Sequence, residues 1–309
     1  MLINEKKLSV VVISITPFDK KGQLDENAFR THLRRLRAAG VSVYVGGAGS
    51  GEGYTFTPDE LDSVLKISVE ELKGKVPFRA MGNEPRTATE MINYMRHVEK
   101  AKVDAAQIFS IEIGHGTKPL ERELELYYNS IIESTSLPIY LSSHEFAGYV
   151  LPISLIERLL DRFPQIVGIA YGGTDTIYLS ELLRRVAGRI EVHCAGPANA
   201  LNVLGLGGNG FMGGEGNFCP ELVQSVITAY STGDVKTFRT NWWKVLTFCG
   251  IHTRYGSSQA SMRAVKPLMN AFGLPGGFLR APRLPISQED LEKMISEVNA
   301  LEIPEITRI

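Results

Sequence analysis

The sequence predicts a single (β/α)8 TIM barrel of the α/β class, followed by a C-terminal helical extension. Three observations predict it. Short apolar runs rich in β-branched residues recur eight times between residues 9 and 213. An amphipathic segment of helical period follows nearly every one. The runs are apolar on both faces, as strands covered by helices must be. Such alternation implies parallel strands with right-handed crossovers, and eight units in about 230 residues match a sheet closed on itself. An open doubly wound sheet is the structural alternative, but it carries a glycine-rich phosphate turn after its first strand. Here that strand is followed by TPFDKKGQLD.

The strands are expected at 9–15, 42–47, 76–81, 104–109, 138–143, 165–170, 190–194 and 208–213. Helices are expected between them, at 25–38, 57–72, 86–101, 120–135, 151–162, 175–187 and 198–205. In the first, Phe29, Leu33 and Leu36 recur at helical spacing. In the second, Thr57 is an N-cap, Pro58 takes the first helical position, and Asp59 and Glu60 place acids in the first turn. Further helices include a segment around Trp242 and Trp243, one over 258–272, and a last one over 287–300 opened by Ser287. Residues 1–218 read as the barrel core. Residues 219–309 read as its last helix plus an extension of the same domain.

Composition narrows the function classes. The 309 residues are 44% hydrophobic and 22% charged, ordinary for a soluble globular chain. A net charge of −1 provides no field for nucleic acid or an anionic membrane, and neither partner is expected. No run reaches the roughly 18 apolar residues of a membrane span. The stretch MLINEKKLSVVVISITPF puts charge before an apolar run, as a secretion signal does. No small-residue cleavage site follows and Pro17 ends the run, so it reads as a buried strand. Three widely spaced cysteines form neither a disulfide framework nor a cysteine-type zinc site, which fits a reducing cytoplasm.

Several segments, taken in order, resemble the N-acetylneuraminate lyase and dihydrodipicolinate synthase superfamily, the pyruvate-dependent class I aldolases. They are Thr16-Pro17-Phe18 at the end of the first strand and Ala48-Gly49-Ser50-Gly51-Glu52 after the second, the latter similar to a G-x-x-G-E loop. They continue with Pro164-Gln165-Ile166-Val167-Gly168-Ile169, Gly207-Gly208-Asn209-Gly210, Val265-Lys266, Gly273 and Arg283-Leu284-Pro285. The resemblance covers nearly the whole chain. It implies a lyase that binds a 2-oxo acid, usually pyruvate, as an imine on a strand-six lysine. A strand-five tyrosine would relay protons, and the G-x-x-G-E loop would hold the substrate carboxylate. It also implies a homodimer or homotetramer without a cofactor.

The chain departs from that pattern where the chemistry sits. The lysine position falls on Ala170, whose methyl has no lone pair to attack a carbonyl. The tyrosine position falls on Ser142 counted from Pro138, and on Leu141 counted back from Gly148. Tyr140 lies on the same strand face as Ser142, one layer lower. The arginine found in some members is Phe146 here, and Gly49 replaces the loop's first hydroxyl while Ser50 keeps the second. Two explanations fit Ala170: natural divergence, which the neighbouring departures favour, or a deliberate lysine-to-alanine change that traps substrate.

Chemistry in such a barrel sits at the C-terminal ends of the strands. Polar residues expected there include Glu52, Glu112, Lys118, His144, Glu145, Tyr171, His193 and Glu215. Glu52 reads as a brace for its own loop, Lys118 as a solvated charge, and His193 as a core histidine. Of the adjacent pair His144 and Glu145, only one side chain faces the pocket. Tyr171 points outward if strand geometry continues, and inward if the strand turns. The leading expectation is aldol cleavage or condensation, or hydration and dehydration, of a 2-oxo acid or sugar-acid-like substrate. Gly49, Ser50, Gly51, Ser142 and Met212 would bind it, and Tyr140, His144 or Tyr171 would move protons around Ala170. The alternatives are a non-catalytic acid-binding or assembly homologue and, more weakly, a metal-held enolate on Glu112, His144 and His193. The six histidines form no metal-binding motif, so no metal is expected.

Overall fold

A computed structural model describes residues 7–258 and 262–306. Eight strands form a closed parallel barrel in chain order: β1 Ser9–Ile13, β2 Ser42–Val45, β3 Phe78–Met81, β4 Ala106–Ile108, β5 Ile139–His144, β6 Ile166–Gly172, β7 Glu191–Ala195 and β8 Gly210–Gly213. Helices α1 Glu26–Ala38, α2 Pro58–Leu72, α3 Ala88–Ala101, α4 Glu121–Ile132, α5 Ile153–Arg162, α6 Thr176–Val186, α7 Ala200–Gly205 and α8 Pro220–Thr232 follow the strands in turn. The extension comprises α9 Val235–Gly256, α10 Met262–Ala271 and α11 Gln288–Asn299. Two compact units make up the chain. One holds Arg79–Met212 with the residues up to Leu8, and the other holds Ser9–Phe78 with Gly213–Ile309.

In the first unit the parallel ladders set Ala106 opposite Ile139, Ser142 opposite Ala170 and Ala170 opposite His193, with one register shift in the β5–β6 pair between Ile139 and Tyr140. Thr87 caps α3 by accepting a bond from the Glu90 amide, so this helix starts two residues later than its periodicity predicts. Leu155, Ile156 and Leu159 of α5, and Leu179, Leu182, Leu183 and Val186 of α6, are buried at helical spacing.

In the second unit the predicted cap at Thr57 is a complete capping box. The Glu60 amide donates to Thr57 Oγ1 at 3.3 Å, and Glu60 returns its carboxylate to the Thr57 amide at 2.9 Å. The first strand ends at Ile13, two residues short of expectation. The Ser14 amide still donates to the Tyr44 carbonyl at 2.8 Å, and from Ile15 a side chain takes over. Asn217 Oδ1 accepts from the Ile15 amide and from His32 Nε2, both at 2.9 Å. Asn217 Nδ2 donates to the carbonyls of Ile13 and Gly214. All four hydrogen-bonding positions of this buried amide are thereby filled. Trp242 is buried on α9 while Trp243 is exposed. The helix predicted over 258–272 spans Met262–Ala271, and residues 259–261 lie outside the described residues. Among the described residues, no helix is long and apolar enough to cross a membrane.

His32 and His193 are both buried, and burial first of all pushes each down to about 3. Unfolded histidine takes up a proton near pH 6.5, but these rings in the folded chain do not. Stability is therefore complete above about pH 6.5 and falls as the pH drops toward 3. Two such protons give a slope approaching about 3 kcal/mol per pH unit near pH 5. Urea unfolding midpoints at pH 7, 6 and 5 measure this directly, and a flat profile contradicts it.

Candidate active site

The loop after β2 is built to bring its backbone close to itself. A Cβ on Gly51 would stand 2.8 Å from the Gly47 carbonyl oxygen, so only glycine fits there. Glu52 takes the left-handed conformation at φ 53°, unusual for a residue with a side chain. Its carboxylate is fully buried and pairs with the ammonium of Lys266 on α10. Glu52 thus braces the loop through a distant helix and not through its own backbone, as the sequence suggests. Lys266 Nζ also donates to the carbonyls of Thr16 at 2.8 Å and Phe278 at 3.0 Å, and lies 4.7 Å from the centre of the Phe18 ring. Burial pushes Lys266 down to about 8, against the opposing pull of Glu52. Ser50 is buried beside this anchor, and a Cβ on Gly214 would meet its Oγ at 3.2 Å.

The first unit carries the residues around the predicted lysine position. Tyr171 is buried toward α6. Its ring stacks on Tyr178 at 5.1 Å and its hydroxyl donates to the Asp175 carbonyl. Alternation then turns Ala170 to the barrel interior, where it lies next to Ser142 and His193 in register. The inward positions of β6 are Gly168, Ala170 and Gly172, and β5 fills the space they leave. The Tyr140 ring covers Gly168, where a Cβ would come within 2.1 Å, and His144 Cβ covers Gly172 at 2.8 Å.

Two of the three expected proton carriers are withdrawn from Ala170. The Tyr140 hydroxyl donates to Glu191 Oε2 at 2.9 Å, at the first residue of β7 and so toward the N-terminal end of the strands. Arg79 donates to the same oxygen at 2.7 Å, and its guanidinium carbon lies 3.8 Å from the centre of the Tyr140 ring. Tyr171, as described, faces the helix layer. The inward turn considered for it does not occur, because strand pairing runs on through Gly172.

His144 is different. It ends β5, is 7% exposed, and neither ring nitrogen has a hydrogen-bond partner. Nε2 stands 3.5 Å from Glu84 Oε1, and Phe109 and Phe146 flank the ring at 5.4 and 5.5 Å. Burial pushes His144 down to about 4. Burial also raises Glu84, with Glu112 adding to the rise. The neighbouring Glu145 turns the other way and accepts from the Thr174 amide at 3.1 Å. Lys118 is exposed, and Met212 lies on β8 opposite Ala195. Glu84 escapes sequence reasoning because nothing in NEPRT marks it as a partner of a residue two strands away.

The group of metal-ligand type side chains that the structure gathers among the described residues is Glu215, Cys249 and His252. It is not the set of Glu112, His144 and His193 considered from sequence. A Cys-x-x-His spacing on one helix is the sequence signal for it.

Known proteins place these features in a family. A model of the Dihydrodipicolinate synthetase family matches residues 6–301. The chain is 30% identical over 241 residues to 4-hydroxy-tetrahydrodipicolinate synthase of Thermodesulfovibrio yellowstonii, covering 77% of this chain and 80% of that protein. It is 26% identical over 293 residues to the enzyme of that name from Methanosarcina mazei, covering 94% and 97%. Among solved structures, a prophage protein of the dihydrodipicolinic acid synthase family from E. coli K12, in complex with pyruvate, superposes with a TM-score of 0.87 at 22% identity. The match covers 96% of this chain and 99% of that one. Proteus mirabilis N-acetylneuraminate lyase superposes at 0.84 with 19% identity, covering 97% and 100%.

The Glu52–Lys266 pair yields a stability prediction. Lys266→Met leaves a buried carboxylate without its cation and is expected to cost about 3–5 kcal/mol. The double change Glu52→Gln with Lys266→Met removes both charges and is expected to recover most of that loss. Chemical denaturation of the three chains measures both effects. A single change costing under about 1 kcal/mol contradicts the assignment.

Proposed function

The chain belongs to the dihydrodipicolinate synthetase family, and from that premise we propose that it binds a small 2-oxo acid and works on it without forming an imine. The substrate carboxylate is held by Ser50 and the amides of the Gly49–Gly51 loop, which supply hydrogen-bond donors and no competing negative charge. Ala170 offers no nucleophile. The proton next to the substrate carbonyl is taken by His144, with Glu84 receiving or returning it. Ser50 follows the C-terminal end of β2, and His144 is the last residue of β5; each lies at the strand end that carries chemistry in barrels of this kind.

One observation carries this reading. His144 is a buried imidazole with two unpartnered nitrogens, kept neutral at ordinary pH, beside a carboxyl whose affinity for protons is raised. Burial moves the two groups' proton affinities toward each other, which suits proton exchange between them. A second reading has its own support. With Ala170 at the lysine position and the hydroxyls of Tyr140 and Tyr171 spent elsewhere, the chain binds an acid without turning it over.

Pyruvate in deuterated buffer separates the two readings. Under the first, the chain speeds deuterium uptake into the pyruvate methyl, and His144→Gln slows this by about 10²–10⁴-fold while pyruvate affinity holds. Because the neutral ring is the base, the exchange persists below pH 6 and fails as the pH nears about 4. Borohydride adds no mass to the unaltered chain in the presence of pyruvate. Binding without exchange establishes the second reading. A borohydride adduct on the unaltered chain overturns the non-imine assignment.

A further inference from the structure

Cys249 and His252 lie three residues apart on α9, so their side chains leave the same face of the helix. That face meets the short 3-10 turn Glu215–Asn217, which follows β8. The turn is firmly held. Asn217 is saturated by hydrogen bonds, and the Glu215 carbonyl accepts from the Cys219 thiol and amide. The Glu215 carboxylate lies over Gly213, where any Cβ would come within 2.2 Å of Oε2.

The sulfur of Cys249, a ring nitrogen of His252 and a carboxylate oxygen of Glu215 all lie within 4.8 Å of one another. Glu215 Oε1 stands 3.4 Å from His252 Nε2. Two donors on one tetrahedral zinc ion lie about 3.3 Å apart, so this edge of the site is already set. Glu215 Oε2 and His252 Nδ1 have no hydrogen-bond partner, although both residues are fully buried or nearly so. This buried carboxylate meets His252 at long range and the Cys249 thiol, and its Oε2 stays unpaired, which is costly at this depth. A divalent cation bound to these donors neutralises that charge.

We propose that Glu215, Cys249 and His252 form a binding site for a borderline-soft divalent cation such as zinc. One thiolate, one imidazole and one carboxylate suit zinc and are unlike the all-oxygen cages of calcium or magnesium. Three protein ligands leave one tetrahedral position to water or a small anion. Binding releases the Cys249 thiol proton to solvent as the metal–sulfur bond forms. Gly214 lies between Glu215 and Ser50, so the ion reinforces the turn against which Ser50 packs.

Cobalt(II) titration of the untagged, metal-stripped full chain tests this. One equivalent of cobalt is expected to give a near-ultraviolet thiolate-to-cobalt charge-transfer band that zinc abolishes by competition. Zinc is expected to raise the thermal midpoint of the same chain. Cys249→Ser keeps the size of the side chain; it is expected to lose the band and weaken zinc binding by about 100-fold or more. His252→Gln, as a second variant, is expected to weaken zinc to a similar degree. The proposal is overturned if the unaltered chain shows neither the band nor a zinc-dependent midpoint, in which case the triad is a buried hydrogen-bonded pair beside a thiol. It is equally overturned if folded Cys249→Ser and His252→Gln bind zinc as tightly as the unaltered chain.

Discussion

The buried ion pair of Glu52 and Lys266 is the constraint on which the loop after β2 depends. A loop with glycine at 46, 47, 49 and 51 has little shape of its own. Its one residue at a strained backbone angle, Glu52, is held there by its side chain, which is anchored on a lysine fixed to two carbonyls and an aromatic face. Strain of this kind persists only where the surroundings over-determine it. The position of Ser50 is thus set by α10 as much as by β2, and the extension is part of the machinery that shapes the loop.

The inward face of β6 carries glycine, alanine and glycine, and this decides which strand supplies functional groups. In the arrangement the family resemblance implies, β6 provides the reacting amine and β5 assists it. Here β6 recedes and β5 fills the space, with Tyr140 over Gly168 and His144 over Gly172. The aromatic ring at the lower level is tied into a network with Arg79 and Glu191. The ring at the upper level makes no hydrogen bond and has only the Glu84 carboxylate 3.5 Å away. The same small residues that remove a nucleophile therefore make room for an unpartnered imidazole.

The barrel was legible because its signal is repeated. Eight apolar runs and the helices after them each carry the pattern, so an error of two residues at the end of β1 or the start of α3 leaves the topology unchanged. Local chemistry was legible too, since the Thr57–Glu60 capping box and the Ser287 cap lie within four residues. The site was legible only in part. That only one of His144 and Glu145 turns inward follows from alternation along a strand, and the structure shows it to be His144. The commitment of Tyr140 to Glu191 does not, because those residues lie 51 apart and meet only when the barrel closes. The same holds for Glu84 beside His144 and for Glu215 beside the Cys249-x-x-His252 helix face. Sequence periodicity shows which face a side chain takes and leaves open who stands opposite.

Asn217 bears on the order in which the chain is made. The first strand leaves the ribosome early, yet the Ile15 amide finds its partner 202 residues later. His32 on α1 waits for the same side chain. Until that amide arrives, the first strand keeps unpaired backbone groups, and α1 packs against a partner not yet made. Contacts this distant in sequence are slow to form and expose sticky intermediates in the interval. The chain thus depends on its last barrel turn to seal the end of its first strand, and a translational pause before residue 217 would prolong the period in which those groups stay open.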